Sequence, residues 1–84
     1  MFAPMTCTGR LVATRPSTLL RIRLDTAPPP GEYVGRLRSH VGWRPCSISV
    51  LAGDTALVCC RPRPAAPRDV LGEEVELEFT HAWR

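Results

Sequence analysis

The sequence contains no lysine. All eleven basic residues are arginine, set against eight acidic residues, for a formal net charge of +3 and a pI near 9.0. Positive charge is thus carried entirely by planar groups suited to bidentate phosphate contacts and to stacking on bases. An arginine-biased coding sequence produces the same composition without any functional cause. A modest basic excess favours a nucleic-acid partner without requiring one.

Other absences narrow the class. There is no apolar run of about 18 residues, which excludes a transmembrane helix and predicts no membrane association. The N-terminal "MFAPMTCTGR" has no basic region leading into an apolar stretch, which argues against a secretory signal and predicts a cytoplasmic protein. The four cysteines, Cys7, Cys46, Cys59 and Cys60, form no C-x-x-C pair, and His40 and His81 stand far from them. Closely paired zinc ligands are therefore missing, and no metal or cofactor is expected. Cys7, Cys46 and Cys60 fall on apolar alternations and read as small core residues. No Gly-rich phosphate loop, Ser-His-Asp spacing or evident carboxylate pair is present, so no enzyme is expected.

Period-2 alternation dominates instead. Cys7, Gly9 and Leu11 share one face of the first segment, and Thr8 and Arg10 the other. Leu20, Ile22 and Leu24 oppose Arg21 and Arg23, and Tyr33, Gly35 and Leu37 oppose Arg36 and Arg38. "CSISV" is a brief extended piece, "AGD" a turn, and "TALVCC" a further strand. In the last segment Val75, Leu77 and Phe79 oppose Glu74, Glu76 and Glu78. No long helical stripe competes, and the one place for a short helical turn is "SHVGW". The 84 residues make one small domain, with its core between about 6 and 81. One-sided strands must close on themselves to bury their apolar faces and remove sheet edges. The pattern predicts an all-β, five-stranded OB-fold barrel with a short helical turn between strands three and four; an SH3-like barrel is the competitor.

The order of residues in "TGRLVATRPSTLLRIRLDT" and "GEYVGRLRSHVGWRPCSISVLAGDTALVCCRP" resembles bacterial translation initiation factor 1, an OB-fold family. "ATRPSTLLRIRLD" and "LAGD" are the most specific parts, through residues such as Gly9, Pro16, Arg21, Ile22, Gly53 and Asp54. The resemblance covers roughly residues 6 to 62 well and 69 to 81 loosely. It implies a monomer binding small-subunit rRNA during initiation, with a neighbouring ribosomal protein as a further contact. It also implies that Trp43 and Arg44 occupy the loop that reaches into RNA. Four features depart from the family: the absence of lysine, the "PPP" before strand three, the loop "RPRPAAPRDVLG" before the last strand, and an acidic last strand.

The candidate RNA-binding residues follow. Arg21, Arg23, Arg36 and Arg38 are expected to share one exposed surface, because strands two and three pair in an OB fold. Asp25 and Glu32 are the carboxylates that could neutralise that surface. Trp43 either stacks on a base, with Arg44 on the adjacent phosphate and His40 assisting, or lids the core. Arg61 and Arg63, in "RPRPAAPR", either track a backbone or sit in a plain connecting loop. The second reading of the chain is a protein-interaction module docking through its acidic last strand and Pro-rich loop. In either case the last strand should place a carboxylate opposite Arg10 on strand one.

Overall fold

A computed structural model describes residues 4–13, 19–40, 42–60 and 71–82. It is an all-β closed barrel of six antiparallel strands: β1 (Met5–Ala13), β2 (Leu20–Leu24), β3 (Gly31–Ser39), β4 (Gly42–Leu51), β5 (Thr55–Cys60) and β6 (Glu74–Ala82). The order around the barrel is β1-β2-β5-β4-β3-β6, closing on β1. Strands β3, β4 and β5 follow one another as hairpins and β6 returns beside β3, which is a Greek key. Among the described residues there is no helix, and none long and apolar enough to cross a membrane.

The expected alternation is the barrel's inside and outside. Leu11, Leu20, Ile22, Leu37, Ile48, Val58, Leu77 and Phe79 are almost wholly buried. Tyr33 and Phe79 meet edge to face, with centroids 5.2 Å apart at 82°. Cys7, Cys46 and Cys60 point inward among them as free thiols. Cys46 and Cys60 lie directly opposite each other on β4 and β5. A hydrogen bond with Cys60, and then burial, pushes the Cys46 thiol far above its ordinary range.

Three expectations are corrected. The first concerns strand count: "CSISV" is the second half of a ten-residue strand that begins at Gly42. Arg44 and Pro45 hid it, because an arginine occupies an inward position and a proline an outward one. Second, "SHVGW" holds no helical turn. Ser39 pairs with Gly42, leaving two residues between the strands, fewer than the 3.6 that one α-helical turn needs. Third, β2 does not pair with β3. It lies between β1 and β5, and β3 lies between β4 and β6. Residues 25–30, with Pro28 buried and Ala27 packed on the core, carry the chain to the far side of the barrel. Tyr33 Oη donates to the Pro29 carbonyl at 2.5 Å, fixing that crossing.

Tight curvature is built from glycine and a bulge. A Cβ on Gly35 would stand 1.8 Å from the Glu78 carbonyl oxygen, and the β3–β6 register slips there, passing over Thr80. Thr80 Oγ1 donates to the Val34 carbonyl at 2.9 Å and so occupies an acceptor at the irregularity. Gly9 plays the same part between β1 and β2, where a Cβ would lie 2.4 Å from the Arg23 carbonyl oxygen. In the "LAGD" turn Gly53 and Asp54 both take left-handed backbone, φ 83° and 68°, which glycine and aspartate tolerate best.

Candidate nucleic-acid interface

The outward positions of β3, β4 and β6 at one end of the barrel form a continuous stripe. Register sets Trp43 opposite Arg38, Arg38 opposite Glu76, and Arg36 opposite Glu78. Arg38 Nη2 lies 2.5 Å from Glu76 Oε1, and Arg36 Nη2 lies 2.6 Å from Glu78 Oε1. Arg36 Nε donates to the same Glu78 oxygen at 2.7 Å. The Arg36 guanidinium also sits 4.6 Å from the centre of the Trp43 ring, and that of Arg38 5.7 Å. Trp43 remains 43% exposed. It therefore stands on the outer wall, and the core-lid reading falls. Tyr33 and Phe79 supply the buried aromatic packing instead.

Arg44 follows Trp43 in sequence but faces the opposite way. It is only 8% exposed, its Nη2 donates to Ser39 Oγ at 3.5 Å, and its Nε is buried. Alternation decides this: if Trp43 points out, Arg44 must point in. The expected pairing of Trp43 and Arg44 on one face is therefore not what the strand presents: Trp43 is on the outer wall and Arg44 is inside. His40, at the hairpin tip, ties β3 to the start of β6. Its backbone N–H donates to Glu73 Oε2 at 2.7 Å, and its ring Nδ1 meets the same oxygen at 2.7 Å. A pocket of about 430 Å³ beside this latch is lined by Thr8, Arg38, Ser39, His40 and Glu73 to Glu76.

The expected four-arginine surface is divided. Arg21 and Arg23 project from β2, three strands away from β3 in either direction around the barrel. Across β2, Arg23 faces Arg10 on β1 and Thr55 on β5, and Arg21 faces Ala13 and Leu57. Among the described residues, neither has a carboxylate within ion-pair distance. The carboxylates expected to neutralise the arginines are engaged elsewhere. Asp25 accepts from Thr8 Oγ1 at 2.7 Å and Glu32 from Ser49 Oγ at 2.6 Å. The partners of Arg36 and Arg38 on β6 were foreseeable only with the correct strand order. Arg10 does sit opposite Glu74, as expected, although its Nη1 donates to the Gly72 carbonyl at 3.1 Å. Arg61 and Arg63 lie outside the described residues.

No protein-family model matches the chain, and no curated protein does. The crystal structure of a macrolide-efflux protein from Streptococcus pneumoniae is similar to this barrel, with a TM-score of 0.78 at 19% identity. The match covers 98% of this chain and 29% of that one. At that identity the likeness shows the fold alone. The chain spans less than a third of that protein's length.

Proposed function

We propose that this barrel is an RNA-binding module that receives single-stranded RNA on its outer wall, with Trp43 as the stacking surface. One observation carries this reading: a half-exposed tryptophan on a barrel strand, with two guanidinium groups beside its ring. The arginines hold the indole in one orientation, and the exposed part of the ring is open to a base. Small-subunit rRNA is the first target to test, because of the sequence resemblance to initiation factor 1. The carry-over of that family's contacts now rests on Trp43 and Arg21, since Arg44 is turned inward.

The rival reading, docking on a basic protein through the acidic strand, has less support. Arg38 and Arg36 already engage Glu76 and Glu78. Binding to an oligouridylate and to isolated small ribosomal subunits, measured at two salt concentrations, tests the proposal. The expected result is binding that weakens steeply with salt, and a loss of ~1–3 kcal/mol on Trp43→Ala. A folded protein that binds neither RNA at low salt refutes it, and nuclease-resistant capture of one stoichiometric protein partner favours the rival.

A further inference from the structure

The acidic residues are confined to part of the wall. Among the described strands, every outward carboxylate is on β3 or β6: Glu32, Glu74, Glu76 and Glu78. The outward positions of β4, β5 and β2 carry none. They read Trp43, Pro45, Ser47, Ser49 and Leu51, then Thr55, Leu57 and Cys59, then Arg21 and Arg23. These three strands are adjacent in the order β4-β5-β2. The outward Thr6, Thr8, Arg10 and Val12 of β1, beyond β2, carry none either, so four neighbouring strands form a carboxylate-free sector, with Trp43 on its β4 edge and the two uncompensated arginines on β2 within it. Among the described residues, only its borders hold carboxylates: Glu32 on β3, the glutamates of β6, and Asp25 and Asp54 in the turns at one end.

We infer that a single RNA strand lies along this sector, its base stacked on Trp43 and its phosphates held by Arg21 and Arg23. This rests on the RNA-binding reading above and specifies its path. Register gives the dimensions. Ser49 pairs with Leu57, and Leu57 with Arg21. From Trp43 to Ser49 is six positions (49 − 43), or about 20 Å along β4, and from β4 to β2 is two strand spacings, about 10 Å. A strand of several nucleotides spans that distance, within the ~4–16 nucleotides that small nucleic-acid-binding barrels cover. Between the ends it would cross Ser47, Ser49, Leu57 and Cys59, small or apolar groups that neither repel nor capture phosphate. The opposite route from Trp43, across β3 and β6, meets Glu76 and Glu78. A phosphate there must displace a carboxylate from Arg38 or Arg36 and then remain beside it.

The test is fluorescence anisotropy of a labelled oligouridylate of about 12 nucleotides, across a salt series, with folding of each variant checked by circular dichroism. Arg21→Ala with Arg23→Ala should lower the slope of log affinity against log salt by about 1.4, two phosphate contacts at ~0.7 each. Ser47→Glu, which puts a carboxylate mid-path, should weaken binding about tenfold, and Ser47→Arg should strengthen it. Thr6→Glu, the same carboxylate placed off the path on β1 opposite Glu78, should change affinity less than twofold. If wild-type protein binds but the Arg21/Arg23 and Ser47 variants bind as it does, the path is wrong while the RNA reading stands. Wild-type protein that binds no oligonucleotide at low salt overturns both.

Discussion

Two walls of the same barrel carry the same number of strand arginines and use them differently. On the β3–β6 wall, Arg36 and Arg38 face Glu78 and Glu76 and are neutralised where they stand. On the β2 side, Arg21 and Arg23 face Arg10, Ala13, Thr55 and Leu57, and retain their charge. The four residues look alike in sequence, all outward on alternating strands. What separates them is which strand lies next door. Charge available to a partner is therefore a property of strand order, and counting arginines does not reveal it.

That contrast can be broken from the inside. The largest effect should come from Gly35→Ala, which puts a methyl group 1.8 Å from the Glu78 carbonyl, where β3 meets β6. A backbone atom cannot swing aside as a side chain can, so the two strands must separate. We expect a loss above about 3 kcal/mol, in the range of severe core disruption, read by thermal or urea unfolding. The Arg38–Glu76 and Arg36–Glu78 pairs should part with it, since both depend on that register.

A smaller effect separates the two kinds of arginine. Arg44→Ala removes a buried charged side chain and its contact with Ser39, and should cost about 1–3 kcal/mol of stability. Arg21→Ala, on the open wall, should stay within about 0.5 kcal/mol. Equal losses at the two positions would show that Arg44 contributes no more to the fold than a surface arginine. The smallest effect is the worth of the zipped wall itself. A double-mutant cycle on Arg36 and Glu78 should give about 0.2–1 kcal/mol, because both side chains are partly exposed and water screens the pair. A coupling near zero would mean that the carboxylate leaves Arg36 free for phosphate, and the electrostatic difference between the walls would narrow.

Much of the barrel is legible in the chain before it folds. Alternation at Leu20, Ile22 and Leu24, and at Val75, Leu77 and Phe79, names the core, and all six are buried. The "LAGD" turn falls where it is read. The start of β4 is not legible, because Arg44 stands at an inward position and breaks the apolar pattern that marks a strand. The partners of Trp43 were not legible either. Nothing local to "GWRP" indicates that Arg38 sits opposite the tryptophan and Arg36 over its ring.

The sequence by itself determined five of the six strands, their inner faces and the need to close, since period-2 burial is a local property of each segment and unpaired edges are costly in any arrangement. Only the tertiary structure decided the neighbours. Six one-sided strands can close in more than one order, and each order satisfies the same alternation. Here residues 25–30 carry β3 to the far side from β2, so that β3 lies beside β6 and β2 beside β5. That crossing places two arginines against glutamates and leaves two without, because ion pairs form between neighbouring strands while alternation sets only the face from which each side chain projects.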